Sequence, residues 1–292
     1  MTKLAKFGPG GNSEAFYSAG FKSSADAPTW LRSIGLDAYE YQAGNGITAG
    51  EKSLLAIGEA AKKADIQMSI HAPYFISLSG IIPEKRLGSI RYIRESLAAG
   101  ELLGAYLAVV HTGSAAKISR AEALDLAEAL DLAKDTLSHL LSEVPDNGIL
   151  IGLETMGKIN QLGTLDEVIK LCHLSPRFVP VVDFGHLNAR ECGGVFPNAD
   201  AYRRVFDRIG NALGDHVAKN LHCHFSKIEW TAAGGEKKHL TFEDRTFGPD
   251  FEPLMEAIAR EKLTPTLISE SAGTMSDDAL TMKRCYERML MS

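Results

Sequence analysis

The 292-residue chain is 45% hydrophobic and 23% charged, which is typical of a globular protein and excludes a disordered or fibrous one. Its formal net charge of −6 argues against broad nucleic-acid affinity through lysine and arginine, although bound divalent cations would reverse the charge locally. The four cysteines form no CxxC pair, which argues against a structural zinc ribbon, and no stretch approaches the roughly 20 apolar residues of a membrane span.

Strand-like runs alternate with helical patterns along the whole chain. In chain order, the predicted strands are residues 4–7, 36–42, 67–71, 106–111, 149–154, 179–183, 217–222 and 266–270. Helical periodicity predicts helices at residues 51–63, 86–103, 120–141, 165–171, 199–213, 251–260 and 275–289. Residues 233–250 form a long irregular segment after the seventh strand, and long loops are usually functional.

This alternation predicts an α/β fold, a single-domain (β/α)8 TIM barrel spanning residues 1–292. A doubly wound sheet is the alternative, but it needs a glycine-rich phosphate turn after an early strand. The turn at residues 8–12 does not supply one, because Pro9 and the weak helix after it spoil the pattern. In a barrel, the C-terminal ends of all strands meet at one mouth, so we expect any site to lie there.

Six predicted strands end in a residue that can bind a metal. A lone strand-end histidine is most often packing, and the carboxylate of Glu154 has a plainer explanation as an ion pair with Lys158. Six such residues at one mouth predict a polynuclear metal site. They are His71, His111, Glu154, Asp183, His222 and Glu270.

Three further histidines are candidates. His186 follows Asp183 by three residues and can turn back to the mouth, although an Asx turn alone would explain Asp183. His222 and His224 lie on one face of their strand, so either is a candidate ligand and the other a supporting residue. His239 lies in the long segment. Such a set of imidazoles and carboxylates suits zinc, with manganese or iron as alternatives, and two or three close ions favour phosphate chemistry.

As a set, these residues resemble endonuclease IV, the AP endonuclease family 2 group of the xylose-isomerase-like TIM barrels. The resemblance runs from His71 to Glu270 in matching order. Its motifs are His71-Ala72-Pro73-Tyr74, Val110-His111-Thr112-Gly113-Ser114, Leu153-Glu154-Thr155, Asp183-Phe184-Gly185-His186, His222-Cys223-His224-Phe225-Ser226-Lys227, Phe247-Gly248-Pro249-Asp250-Phe251 and Ile268-Ser269-Glu270.

The resemblance implies a metal-dependent DNA-repair hydrolase that cleaves DNA 5′ to abasic sites with a metal-bound hydroxide and two or three Zn²⁺ ions. One zinc would take His71, His111 and Glu154; a second would share Glu154 and take Asp183, His222 and Glu270; a third would take His186 and His239. Glu154 and Glu270 would be the catalytic carboxylates. The substrate-binding residues would be Tyr74, Lys227, Lys237 and Arg245.

The sequence departs from the family pattern in ways that keep other functions open. Lys237 stands where the family has an aspartate ligand, two residues before His239, and Glu236 could substitute for that ligand only by rearrangement. The loop at residues 42–47 carries no charge. One alternative is a single-metal sugar isomerase or epimerase of the same barrel superfamily, which would bind a small sugar. Another is a metal-binding homologue without catalysis. For each we expect a cytoplasmic monomer that needs no membrane, because the N-terminal residues also lack an apolar signal core.

Overall fold

The computed structural model describes residues 4–113 and 126–291 and places one eight-stranded sheet at its centre. Every pairing in this sheet is parallel. A bridge between Gly10 and Glu40 brings its two edge strands together, so the predicted (β/α)8 barrel is confirmed. In chain order, the barrel strands are β1 (Lys6–Pro9), β2 (Ala38–Gln42), β3 (Gln67–His71), β4 (Ala105–His111), β5 (Leu150–Glu154), β6 (Phe178–Asp183), β7 (His222–Phe225) and β10 (Thr266–Ser269), whereas β8 (Lys227–Thr231) and β9 (Gly235–Leu240) form a separate antiparallel hairpin.

Helices connect the strands and cover the outside of the barrel. Their ends follow local capping chemistry: Thr164 and Glu167 form a capping box at the start of one helix, and Asp183 caps another. The helices are α1 (Glu14–Ser18), α2 (Ala27–Ser33), α3 (Glu51–Ala64), α4 (Pro83–Leu103), α5 (Leu126–Glu143), α6 (Leu165–Cys172), α7 (Phe184–Arg190), α8 (Ala199–Leu213), α9 (Asp215–Lys219), α10 (Glu252–Arg260) and α11 (Met275–Met291). Among the described residues, no helix is long and apolar enough to cross a membrane.

The main apolar core lies between the strands and the helices around them. A second, smaller cluster consists of Leu107, Val109 and Val181, which lie on the same strand faces as His111 and Asp183. This cluster therefore fills the barrel interior below the mouth. Burying one such aliphatic side chain stabilises the fold by about 1.5–3 kcal/mol.

Two predictions about the chain after β6 are wrong. Residues 217–222 were expected to be the seventh strand, but 217–219 belong to α9 and β7 begins only at His222. A short apolar run does not by itself distinguish a strand from a buried helical turn, and here the chain forms the helical turn. Residues 233–250 are not irregular throughout, because β9 lies within them and pairs with β8. Of the predicted helix at 120–141, residues 120–125 lie outside the described part of the chain, as does Ser114.

Candidate metal centre at the mouth of the barrel

Glu154 stands at the centre of a cluster of histidines at the C-terminal ends of the strands. It ends β5 and is fully buried. Its Oε2 atom lies 3.3 Å from His71 Nε2 and 3.2 Å from His111 Nε2. Its Oε1 atom lies 2.8 Å from His224 Nδ1 and 3.7 Å from His186 Nδ1. The two carboxylate oxygens thus face two different sets of imidazoles.

Backbone carbonyls set the orientation of three of these rings. The Nδ1–H groups of His71, His111 and His186 donate to the carbonyl oxygens of Ala72, Tyr74 and Thr155 at 2.8, 3.1 and 2.9 Å, since a carbonyl can only accept. In each ring this leaves Nε2 facing the site. A metal-binding histidine characteristically donates its other ring N–H in this way, so these rings are already in the orientation that a metal ion requires.

The charges in the cluster are strongly coupled. Burial raises the pKa of Glu154, but the surrounding imidazoles, with His224 foremost, outweigh it and hold that pKa well below its usual range. Burial lowers the pKa of His71, yet its hydrogen bond to Glu154 and the charge there raise it to about 9. Burial is likewise outweighed at His186, where Asp183 and Glu236 raise the pKa to about 9. Without a cation, the buried carboxylates are therefore neutralised by protonated histidines.

A second group of donors lies beside Glu154. Atoms of Glu154, Asp183, His224 and Glu270 lie within 4.8 Å of one another. The Oδ1 atom of Asp183 accepts a hydrogen bond from the backbone N–H of His186 at 2.7 Å, so the expected Asx-type turn is present. Its Oδ2 atom is buried and finds no hydrogen-bond partner among the described residues. Burial raises the pKa of Asp183. An unpartnered buried carboxylate oxygen is costly, and a cation at this position would remove the cost.

The strand boundary decides which histidine of β7 faces the mouth. His222 is the first residue of β7 and His224 the third, so both side chains lie on the inner face at different depths. His224 Nδ1 faces Glu154 and also lies 3.6 Å from Glu270. His222 lies deeper, with Nδ1 bound to the hydroxyl of Tyr106 at 2.6 Å. The sequence left either histidine as the candidate ligand, and the family resemblance implied His222; the geometry brings His224 to the donors around Glu154.

A third group of donors involves the hairpin of β8 and β9. His186, Glu236 and His239 offer donor atoms within 4.8 Å of one another. The Oε2 atom of Glu236 lies 3.5 Å from His186 Nε2, and His239 is held by a hydrogen bond of 2.8 Å between its Nδ1 and the Ser226 hydroxyl. Gly157 permits this approach, since a Cβ there would lie 2.7 Å from the Cβ of Glu236 and 3.0 Å from Cδ2 of His186.

A β-bulge explains why Glu236 faces the site and Lys237 does not. Lys238 pairs with Glu229, but the next pair joins Glu236 to Trp230, so Lys237 is an extra residue in the ladder. Such an insertion moves the side chains of the preceding residues to the opposite face of the hairpin. Lys237 points outward and forms an ion pair with Glu229 at 2.5 Å. Glu236 therefore needs no rearrangement to reach His186.

The predicted substrate-binding residues have different surroundings. Tyr74 is 58% exposed and lines a cavity of about 340 Å³ at the mouth, together with Lys158 and Glu270. Lys227 is buried, where it donates to the backbone carbonyl of Asp244 at 2.6 Å and pairs with Asp250 at 3.2 Å. Lys237 lies on the outer face of the hairpin. Arg245 is exposed in the segment that follows β9.

Sequence reasoning missed one buried carboxylate, Glu40, and expected a half-buried one, Glu236, to reach the site only by rearrangement. Glu40, in β2, is fully buried and contacts His222 and His224 at 3.0 Å each. Its signal was a charged residue within a predicted strand. The inward direction of Glu236 could not be read from the sequence, because only the register of the hairpin produces it.

Comparisons with known proteins agree with this architecture. A family model described as "Xylose isomerase-like TIM barrel" matches residues 28–283. An uncharacterized protein of Methanocaldococcus jannaschii is 30% identical over 283 residues, covering 94% of this chain and 97% of the relative. A probable endonuclease 4 of Mycoplasma pneumoniae is 29% identical over 202 residues, covering 67% of this chain and 64% of the relative.

Solved structures with this fold include members with different activities. A D-tagatose 3-epimerase-like protein superposes with a TM-score of 0.66 at 20% identity, covering 88% of this chain and 89% of the other. Endonuclease IV from Thermus thermophilus gives a TM-score of 0.65 at 16% identity, covering 92% and 94%. At these identities the likeness establishes the fold alone. The eight-stranded barrel, the donor groups at its mouth and the match over residues 28–283 together show that the chain belongs to the xylose isomerase-like TIM barrel family.

Proposed function

We propose that the protein is a metal-dependent phosphodiesterase similar to endonuclease IV, which hydrolyses DNA 5′ to abasic sites. One observation carries the proposal: the two oxygens of Glu154 face different sets of donors. Oε2 faces His71 and His111, whereas Oε1 faces His224. A carboxylate flanked on both oxygens in this way suits a bridge between two cations.

The ligand sets follow from the three groups of donors. We assign one ion to His71, His111 and Glu154, and a second to Glu154, Asp183, His224 and Glu270. The third group, His186, Glu236 and His239, completes a trinuclear centre. We favour His224 over His222 in the second set because its Nδ1 lies 2.8 Å from Glu154. Two observations fit bound cations: Asp183 Oδ2 has no hydrogen-bond partner among the described residues, and three histidines have their Nδ1 atoms bound to backbone carbonyls.

The chemistry divides between bound ions and side chains. Bound zinc ions would lower the pKa of a water molecule so that it ionises near neutral pH, and they would offset the negative charge on the phosphate oxygens. Glu154 is fully buried and held from both sides, so it fixes the geometry of the centre. The side chain of Glu270 is 16% exposed and lines the mouth cavity, whereas those of Glu154 and Asp183 are wholly buried. We therefore assign Glu270 to accept a proton from the attacking water and exchange it with solvent.

Support for a DNA substrate comes from relatives named as probable endonuclease 4 and from the rim of the mouth. Tyr74 presents an exposed ring that can stack on a nucleotide. Lys158, which lines the cavity, and the exposed Arg245 are the cations we assign to phosphate contacts. Lys227 and Lys237, which the sequence indicated for that role, are not assigned to it, because each is engaged in an ion pair.

A sugar isomerase or epimerase is the second candidate. Glu154, Asp183, His224 and Glu270 alone make a complete four-donor set for one ion, and the cavity of about 340 Å³ is suited to a small molecule. A single-metal enzyme would give no role to His71, to His111 or to the third group of donors, His186, Glu236 and His239. A metal-binding protein without catalysis is the third candidate, and a cleavage assay separates it from the first two.

Replacing Glu154 with glutamine tests the proposal. We expect Glu154→Gln to reduce cleavage of a duplex with one abasic site by about 10³-fold, equivalent to about 4 kcal/mol of transition-state stabilisation. The matched control is Glu95→Gln, which removes the same charge from an exposed position on α4. Wild-type cleavage by Glu154→Gln, or epimerisation of sugars with no cleavage by the native protein, would refute the proposal.

A further inference from the structure

A row of buried polar side chains runs through the barrel interior from its depth to the metal centre. The Tyr106 hydroxyl contacts His222 Nδ1 at 2.6 Å, and His222 Nε2 contacts Glu40 Oε2 at 3.0 Å. Glu40 Oε1 then lies 3.0 Å from His224 Nε2, and His224 Nδ1 lies 2.8 Å from Glu154. Three members of this row, Glu40, His222 and Tyr106, have no part in the proposed ligand sets.

Glu40 is surrounded by hydrogen-bond donors on both oxygens. Its Oε2 atom accepts from the Ser69 hydroxyl at 2.9 Å as well as from His222. Its Oε1 atom accepts from Gln42 Nε2 at 3.2 Å and faces His224 Nε2. A carboxylate offers about four lone-pair positions, so these neighbours occupy its capacity. Glu40, His222 and His224 also offer donor atoms within 4.8 Å of one another, but because both oxygens of Glu40 already face donors we assign it to anchoring side chains rather than to binding a cation.

The contact between Glu40 and His224 determines which nitrogen of His224 faces the centre. Ionised carboxylates only accept, and one faces each ring nitrogen of His224 (Glu154 at Nδ1 and Glu40 at Nε2), so both nitrogens carry protons in the metal-free structure; a cation that replaces the Nδ1 proton leaves the other proton on Nε2, facing Glu40. Among the described residues this buried nitrogen has no hydrogen-bond partner that meets the usual geometry, and Glu40 Oε1 at 3.0 Å is the carboxylate oxygen that faces it. Once Nε2 holds the proton, a neutral His224 has its lone pair on Nδ1. That atom is the one directed at Glu154 and Glu270.

We propose that Glu40 is a positioning residue of the metal centre, which fixes the tautomer and ring orientation of His224 so that Nδ1 binds the ion. Deeper in the barrel, His222 holds Glu40 through its Nε2 atom, and the Tyr106 hydroxyl holds His222 through its Nδ1 atom. This inference rests on the proposed metal centre and adds a residue that contacts a ligand, His224, without being a ligand itself. It assigns His222 a supporting role, since its Nε2 is already committed to Glu40.

The test compares Glu40→Gln with Ser69→Ala in full-length protein, with Zn²⁺ as the probe. Glutamine keeps the size of the side chain but replaces one acceptor with an N–H₂ group that opposes an imidazole N–H. We expect zinc affinity, measured by competition with a chromogenic chelator, to fall about 10- to 100-fold in Glu40→Gln. Ser69→Ala removes one hydroxyl from the same carboxylate but leaves both histidine contacts, so we expect near-native affinity.

Two further readouts keep the outcome decisive. Elemental analysis of saturated protein should give the same number of zinc ions in Glu40→Gln and wild type; the loss of one whole ion would make Glu40 a ligand and overturn the inference. ¹⁵N spectra of zinc-loaded wild type should show His224 coordinated through Nδ1 with a proton on Nε2. Coordination through Nε2 would also overturn it, even if Glu40→Gln fails to fold. Failure of the wild type to bind zinc would instead refute the proposed function.

Discussion

At the scale of single residues, the centre is characterised by histidines that are oriented before any ion binds. His71, His111 and His186 each donate Nδ1–H to a backbone carbonyl at the mouth of the barrel. The backbone that accepts these bonds adjoins the strand ends and is held by the sheet. Metal binding therefore needs little side-chain ordering, and a preorganised site loses less conformational entropy on binding.

The same residues predict that zinc binding releases protons. The pKa of His71 and of His186 is raised to about 9, so in the metal-free protein both rings are charged at neutral pH. An ion must displace the Nε2 proton of each, so the observed affinity should rise with pH and fall as the medium becomes more acidic. His71 and His186 belong to different ions, so between about pH 6 and pH 8 we expect the logarithm of the association constant of each of these two ions to rise by about one per pH unit.

Chelator competition across that pH range measures the slope directly. Calorimetry in two buffers with different ionisation enthalpies gives the number of released protons independently. An affinity that does not change with pH would show that these histidines are neutral before binding, contrary to their contacts with Glu154 and Asp183.

At the scale of elements, one inserted residue in β9 changes the composition of the site. Without the bulge, Lys237 would lie two residues before His239 on the same face, as the sequence implied. With it, Glu236 takes the inward position and Lys237 pairs with Glu229 on the outside. The departure from the family pattern at position 237 is therefore compensated by the adjacent carboxylate.

Neighbouring alanine substitutions in β9 test this compensation. We expect Glu236→Ala to lose the third ion, lowering zinc content by about one per chain, because two histidines alone make an incomplete set. Lys237→Ala, the matched control one residue away, should keep full zinc content. Equal content in both variants would exclude Glu236 as a ligand. Lys237→Asp, which restores the aspartate that the family has at this position, should also leave zinc content unchanged, because residue 237 lies on the outer face of the hairpin.

The ends of the strands were more predictable than the connections between them. The strand containing His71 was predicted with the bounds that the structure has, and Glu154 and Asp183 end their strands as expected. These positions follow from hydrophobic runs that end in polar residues. The position of β7 and the bulge in β9 depend on tertiary packing and register, which leave no local periodicity to detect. For that reason the sequence could not choose between His222 and His224 and gave Glu236 a place only by rearrangement, whereas the structure brings His224 and Glu236 to the mouth.

At the scale of the whole molecule, parallel closure of the barrel is what brings residues from distant parts of the chain together. His71 and Glu270 come from β3 and the end of β10, and both line one cavity. The predicted fold therefore implied a shared site before any contact was known. The inside of the barrel is not uniformly apolar: Leu107, Val109 and Val181 fill part of it, and the row through Glu40 fills another. The division of the barrel interior into an apolar part and a polar part was not predictable from the sequence. The alternation of side chains along a strand identifies which residues point inward, but not which residues they contact.

Bound cations would change what the net charge of −6 implies for binding a negatively charged substrate. An acidic protein repels a phosphodiester, but two or three divalent ions at the mouth would add about four to six positive charges where the substrate binds. Substrate affinity should therefore depend on metal loading more than on surface lysines. The number of bound ions is thus the property that best separates a phosphodiesterase from a single-metal epimerase.

The most direct measurement is elemental analysis of metal per chain, on protein purified without added metal or chelator. Our account predicts two to three transition-metal ions per chain, shared through Glu154 and extended by His186, Glu236 and His239. One ion per chain, retained when His71 and His111 are both replaced by alanine, would contradict it and would indicate the four-donor site of a sugar epimerase.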